Sequence, residues 1–266
     1  MKRFKIIFLL TFFMVGCSTV PITGRKQLNL VSDAQMLPLA FSEYKTFLKE
    51  HKLSDNKEET QKLRAVGSRI SKAIDAYMRA NNMANRADTY EWEFNLVEDK
   101  EVNAWAMPGG KVVFYTGIMP IARDDDGIAT VMGHEIAHAF ARHGAERMST
   151  GILQQAGGIA VALGTEGSNR SNIWNAAYGV GSQLGMLKFS RNQESEADKL
   201  GLVFMIIAGY NPDKSVEFWQ RMSENSKGNK PPEFMSTHPA DATRIADLKA
   251  WLPQAKLLAA KYTGSN

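Results

Sequence analysis

Between Ile128 and Phe140 the chain is small or apolar at nearly every position, yet polar residues interrupt it in the order His134-Glu135-Ile136-Ala137-His138. Ile128, Val131, Met132, Ile136 and Phe140 recur at helical spacing, so this stretch is a helix with a buried face. A buried imidazole or carboxylate is costly unless it is partnered. Each helical residue turns by about 100°, so positions four apart differ by about 40° and one turn of rise. His134 and His138 therefore point the same way and can hold one ion. Glu135 lies on the adjoining flank, close enough to reach a water on that ion without ligating it. Taken alone, such a pattern also arises by coincidence on a helix surface; in this apolar helix it points to a buried cation and a second element to complete its shell.

Zinc fits the donors. It binds imidazole nitrogen at about 2.0–2.1 Å, and a catalytic site uses three protein ligands and an open fourth position. Glu194-Ser195-Glu196-Ala197-Asp198 opens another helical stretch downstream. Glu194 and Asp198 stand one turn apart on a common face. One can ligate while the other accepts a hydrogen bond from a ligand histidine and so fixes its tautomer. An acidic first turn also suits the helix dipole unaided, but beside the histidine helix the ligand reading prevails.

The amino terminus reads as an address. Lys2, Arg3 and Lys5 form a positive region ahead of the apolar Ile6–Val15, a length that suits a signal peptide and is too short to span a bilayer as an anchor. Met14-Val15-Gly16-Cys17 resembles a bacterial lipobox, although Leu is more usual where Met14 stands. Cys17 is the single cysteine, which excludes an internal disulfide. Its position at the cleavage point predicts lipidation, and several acyl chains hold firmly where one gives only marginal binding. Ser18 rather than Asp after the cysteine resembles sorting to the outer membrane. Residues 1–16 are thus expected to be a signal peptide, 17–31 a lipidated N-terminus and extended tether containing a turn at Thr23-Gly24, and 32–262 a single domain.

Charge narrows the partners. The formal net charge is +4 over 266 residues, and Lys2, Arg3 and Lys5 supply three of those charges in a stretch without Asp or Glu. The remainder is nearly neutral and has no basic tract, which gives no electrostatic reason to bind nucleic acid. With 44% hydrophobic and 23% charged residues, the balance is that of an ordinary globular protein.

Helical patterns are expected from Ser32 to about Glu50 and from Asn56 to Met83, the latter with Leu63, Val66, Ile70, Ile74 and Tyr77 on one face. Trp92–Val97 alternates, Lys111–Tyr115 is β-branched and aromatic, and Pro108-Gly109-Gly110 marks a turn between them, so 91–117 reads as a small antiparallel sheet. Further helices are expected over Asp125–Met148, Asn192–Ala208, 213–226 and 240–261. The small apolar stretches Ala160–Gly164 and Ala176–Gly185 read as a closely packed helical hairpin, too short to cross a membrane. His143 reads as a cation suited to the end of the histidine helix, and His51 as a surface residue.

Taken together, HEIAHAFARHGAER, FSRNQESEADKLG and STHPADATRI resemble the zinc metallopeptidase family that includes HtpX, the CAAX prenyl protease and BepA. The resemblance covers about residues 25–250. It implies an α+β fold: a mainly helical zincin-type (gluzincin) domain with a small sheet beside the active-site helix. It also implies one Zn2+ held by His134, His138 and Glu194, with Glu135 as catalytic base and Asp198 behind the ligands. His238 matches the family's His-Pro, which in BepA-like members reaches the metal from a movable loop; otherwise it is a turn histidine before the last helix. Arg244 either stabilises an oxyanion or pairs with an acid. An edge strand around Val102–Ala106 would lie beside the metal and could receive an extended peptide by main-chain pairing.

The expected activity is zinc-dependent endoproteolysis of unfolded or misfolded bacterial envelope proteins, from a lipid anchor at Cys17 facing the periplasm. The outer-membrane assembly machinery is a further expected partner. The competing reading is a periplasmic lipoprotein chaperone or assembly factor that keeps zinc as a structural element. Glu135 separates the two, because a structural zinc site fills all four positions with protein and has no use for that glutamate.

Overall fold

The computed structural model describes residues 16–161, 189–225, 233–238 and 242–263. Within them lie β1 (Cys17–Thr19), β2 (Lys26–Leu28), α1 (Asp33–Glu50), α2 (Lys57–Ala80), α3 (Ala84–Ala87), β3 (Glu93–Val97), β4 (Ala104–Met107) and β5 (Lys111–Tyr115). They are followed by α4 (Met119–Ala122), α5 (Asp125–Phe140), α6 (His143–Val161), α7 (Arg191–Ile207), α8 (Asp213–Asn225), α9 (Glu233–Thr237) and α10 (Ala242–Thr263). The expected apolar signal segment and the stretch beyond Val161 of the expected small-residue hairpin lie outside the described residues. Among the described residues, no helix is long and apolar enough to cross a membrane. The chain is mainly helical with small sheets, as an α+β domain should be.

The histidine helix α5 is the centre of the packing. Asp124 caps it by accepting a hydrogen bond from the Gly127 N–H at 2.8 Å, and every residue from Gly127 to Phe140 is buried. On one side lies α2, whose Leu63, Val66, Ile70, Ile74 and Tyr77 are buried, the face that the helical spacing picks out. On the other lies α7. A capping box starts α7: the Gln193 N–H donates to Ser190 Oγ, and the Ser190 N–H donates to Gln193 Oε1. That start satisfies otherwise orphaned backbone donors and puts Glu194 and Asp198 in the first two turns.

Helices α5 and α7 cross at paired glycines. A Cβ on Gly201 would stand 3.0 Å from backbone atoms of Gly133 and His134, and one on Gly133 would meet the Gly201 carbonyl oxygen at 3.0 Å. Backbone cannot yield as a side-chain tip can. This approach brings His134 within reach of Glu194 and Asp198.

The structure departs from the sequence expectations in three places. The sheet is mixed, in the order β3-β5-β4. β3 runs parallel to β5 with Glu93 opposite Lys111, whereas β4 runs antiparallel to β5 with Met107 opposite Lys111. The Gly109-Gly110 turn, with φ of 82° and 88°, serves the short Ala104–Met107 strand before it, whose two alanines carry little strand propensity. β4 is the expected edge strand, and it packs along α5.

Second, the helix expected over Asp125–Met148 breaks after Phe140. Arg142 takes a left-handed φ of 58°, a conformation uncommon outside glycine. Its guanidinium donates to the Val31 carbonyl at 2.9 Å and pairs with Asp33 at 2.8 Å, contacts that hold the turn. Third, residues 17–31 make the expected turn at Thr23-Gly24, with the Gly24 N–H donating to the Val20 carbonyl, but they are a docked hairpin and not an extended tether. β1 and β2 pair antiparallel, Val20 enters the main core, and the Leu30 N–H donates to Ser149 Oγ at 2.8 Å.

The glycine crossing has a measurable consequence. Gly201→Ala gains roughly 0.5–1 kcal/mol of helix propensity, but overpacking typically costs about 1–3 kcal/mol. Thermal denaturation should show a net loss of about 1 kcal/mol, or about 2–4 °C in Tm for a chain of this size. Zinc binding measured alongside should weaken, because the substitution pushes Asp198 away from His134.

Candidate metal centre

Four buried side chains converge where α5, α7 and the end of α9 meet. One ligand atom from each of His134, His138, Glu194 and His238 lies within 4.8 Å of the others. His134 Nε2 stands 3.1 Å from His138 Nε2 and 3.1 Å from His238 Nδ1. Glu194 places its carboxylate 3.4 Å from His138 Nε2, 3.5 Å from His134 Nε2 and 2.8 Å from His238 Nδ1.

The hydrogen bonds behind the rings set the tautomers. His134 Nδ1 donates to Asp198 Oδ1 at 2.9 Å, because an ionised carboxylate only accepts. His138 Nδ1 meets His143 Nδ1 at 2.8 Å, and His143 Nε2 donates to Glu196 Oε2 at 2.9 Å. With its proton on Nε2, a neutral His143 accepts at Nδ1 from His138. The Nε2 lone pairs of both α5 histidines then face one another.

Such an arrangement calls for a cation. Ligands around a tetrahedral ion at about 2.0–2.1 Å sit about 3.3 Å apart, close to the separations here. Electrostatics agree. Burial and the Arg244 charge push the His134 pKa down, but hydrogen bonds to Asp198 and Glu194 outweigh them and hold it above the ordinary value. Burial alone would raise Glu194, yet His238, His134 and His138 keep it well below the usual carboxylate range. Burial keeps His138 well below its ordinary value, hence neutral. The donor set therefore fits one zinc ion, and the cofactor is Zn2+.

Glu135 completes the group. It is buried, and among the described residues its Oε1 accepts no hydrogen bond; His238 Nε2 stands 3.5 Å from it. Burial pushes this carboxyl up to about 7, partly opposed by His238. Arg244 is held by two acids. Its Nε and Nη2 donate to Asp198 at 2.8 and 2.6 Å, Nη1 donates to Glu194 at 3.2 Å, and the guanidinium lies 3.4 Å over the Trp219 ring. Of its two expected roles, the ion pair is the one observed.

His143 differs from its expectation as a helix-end cation. It opens α6, is fully buried, and burial lowers its pKa so that it stays neutral. The sequence reading of His143 as a structural residue does not foresee its contact with His138, and it gives Glu196 no role. Glu196 stands one helical turn after the exposed Asn192, so its spacing reads as a solvated acid, and it is the packing of the amino-terminal hairpin over it that buries it. His51 stacks on Phe47 with ring centres 3.8 Å apart and is half-buried rather than fully on the surface.

The sequence profile of Peptidase family M48 matches residues 59–252, a span running from the first turn of α2 to the middle of α10 and containing all four converging residues. The chain belongs to peptidase family M48. It is 31% identical over 256 residues to "Mitochondrial metalloendopeptidase OMA1" of Saccharomyces cerevisiae, covering 92% of this chain and 71% of that protein. It is 28% identical to the human "Metalloendopeptidase OMA1, mitochondrial", covering 96% of this chain and 49% of the relative. It is also 29% identical to the Escherichia coli "Beta-barrel assembly-enhancing protease", over 65% of this chain and 36% of that one. With this family membership and this donor set, the M48 chain is a zinc metalloendopeptidase.

Asp198→Asn tests the geometry behind the metal. An amide can donate to His134 Nδ1 and so favour the tautomer whose Nε2 carries the proton. Zinc affinity should fall about 10–100-fold. Arg244 would lose one of its two ionised partners and keep Glu194, so chemical denaturation should show a loss smaller than the about 3–5 kcal/mol of a fully broken buried pair.

Proposed function

We propose that this protein is a zinc endopeptidase of the bacterial envelope that cleaves unfolded or misfolded envelope proteins. His134, His138 and Glu194 hold the ion, and Glu135 is the general base. The observation that carries the catalytic reading is Glu135: a buried carboxylate, one oxygen of which accepts no hydrogen bond among the described residues, beside four converging donor residues. Zinc, when bound, supplies a Lewis acid that polarises the scissile carbonyl and acidifies a water.

Glu135 takes the proton of the attacking water on its carboxylate and delivers it to the leaving amine nitrogen. A carboxyl raised to about 7 suits both transfers near neutral pH. Asp198 holds His134 in the tautomer that ligates, and Arg244 keeps Asp198 ionised and oriented. The edge of β4 beside α5 offers main-chain donors and acceptors to an extended segment, which asks for no particular side chains and suits unfolded substrates.

His238 sets the resting state. Its Nδ1 lies with the ligand atoms of the other three residues, and its Nε2 faces Glu135. It thereby fills the side from which a substrate carbonyl would approach. Four protein donors also suit a structural zinc site, which is the observation favouring a chaperone or assembly factor with little proteolysis. Glu135 speaks for the enzyme. The name of the Escherichia coli relative, an assembly-enhancing protease, supports outer-membrane assembly machinery as a partner.

The lipobox-like Met14–Cys17 supports anchoring through Cys17, which is exposed at the start of β1. Because the chain is folded from that point, a lipid there would hold the domain against the bilayer. Cys17→Ser should shift the protein from the membrane to the soluble fraction on cell fractionation.

Casein cleavage by the zinc-loaded protein is the direct test. The parent should cleave, lose activity to a chelator and regain it with zinc. Glu135→Gln should retain zinc and fold while turnover drops about 10²–10⁴-fold, the usual range for a lost general base. His238→Ala should raise basal cleavage; a lowered rate would make His238 a catalytic contact instead. Zinc binding without cleavage in both the parent and His238→Ala would favour the chaperone.

A further inference from the structure

A chain of buried polar groups runs from His138 to the amino-terminal hairpin. His143 passes the contact from His138 Nδ1 to Glu196 Oε2. Beyond Glu196 the partners come from residues far upstream. Thr23 Oγ1 donates to Glu196 Oε1, and Arg25 Nε donates to Glu196 Oε2 at 2.7 Å. The other face of the Arg25 guanidinium donates to both oxygens of Glu146, at 2.7 and 2.8 Å. Glu146 also accepts from Gln193 Nε2 at 2.7 Å, directly before Glu194 in the chain. The turn between β1 and β2 therefore grips the first turn of α6, which carries His143, and the first turn of α7, which carries Glu194.

We propose that Arg25 and Thr23 are positioning residues of the metal centre, acting on His138 through Glu196 and His143. An acceptor-only carboxylate at the end of the relay holds the His143 proton on Nε2. His143 Nδ1 then accepts a hydrogen bond from His138 Nδ1–H, which leaves His138 Nε2 unprotonated for the ion. Glu196 can serve this role only while its carboxylate stays in one orientation. Without Thr23 and Arg25 it keeps only His143 and is free to rotate. The fork of arginine suits the task, because it binds two carboxylates in fixed geometry. The hairpin has a separate tie to the domain in the Leu30–Ser149 hydrogen bond, which touches no member of the relay. Purely structural docking can thus be told apart from positioning.

This proposal rests on His138 being a zinc ligand, and the experiment separates the two ideas. Zinc affinity would be measured by competition with a chromophoric chelator on the full chain. The visible spectrum of the cobalt(II)-loaded protein would report coordination geometry. Arg25→Ala and Glu196→Gln should each weaken zinc about 10–100-fold, the range for residues that orient a ligand. Both should change the cobalt spectrum, and the double variant should be no worse than the stronger single one, because both cut the same path. Arg25→Lys should recover part of the affinity. Ser149→Ala should lower Tm while leaving affinity and the cobalt spectrum as in the parent.

Parent-like zinc affinity in both Arg25→Ala and Glu196→Gln, with His138→Ala weakened, would overturn the positioning role alone. Parent-like affinity in His138→Ala would overturn the ligand assignment and this proposal with it. Glu196→Gln preserves shape and serves as the deciding variant if far-UV circular dichroism shows that Arg25→Ala does not fold.

Discussion

The close crossing of α5 over α7 is the contact from which the centre is built. Helix axes ordinarily stand 8–10 Å apart, according to the side chains between them. Here Gly133 and Gly201 leave nothing between the backbones but themselves. The crossing places the histidine face of one helix over the carboxylate face of the other, so ligands from distant parts of the chain share one buried point. The apolar residues of α5 exclude water around that point, which strengthens each polar contact within it.

Burying so many ionisable groups demands compensation, and the fold supplies it symmetrically. Behind His134 stands Asp198, gripped by Arg244 from α10 near one end of the chain. Behind His138 stand His143 and Glu196, gripped by Arg25 near the other end. His134 and His138 are thus each backed by a carboxylate, directly or through His143, that is in turn held by an arginine. Ion pairs of this kind add little net stability, since desolvation offsets much of their attraction. Their value lies in geometry. Arg244 gains further from the Trp219 ring below it, where a desolvated cation–π contact is worth about 2 kcal/mol.

Much of the centre was legible because its elements are local. The i, i+4 spacing of His134 with His138 and of Glu194 with Asp198 needs only a helix, and the apolar period and Ser190 cap make those helices. The sheet was less legible. Lys111–Tyr115 is a strong strand by composition, but whether it pairs parallel or antiparallel with Glu93–Val97 depends on the path of residues 98–103. A short Ala-Trp-Ala-Met strand does not announce that it is the hairpin partner.

By itself, then, the sequence determined the helices, the pair of histidines on one face, the acidic face that answers them and the resemblance that joins the two. These follow from backbone periodicity and side-chain chemistry within a few turns. Only the tertiary structure decided that the helix breaks at Arg142 and turns His143 back onto His138, and that residues 17–31 dock as a hairpin. It also decided that Arg244 pairs with both Asp198 and Glu194, and between the two readings of His238 it chose the one that puts the ring beside His134, His138 and Glu194. Each of these contacts, apart from the local turn at Arg142, links residues far apart in the chain. Their partners are selected by packing and by the need to neutralise buried charge, and no local pattern records that choice.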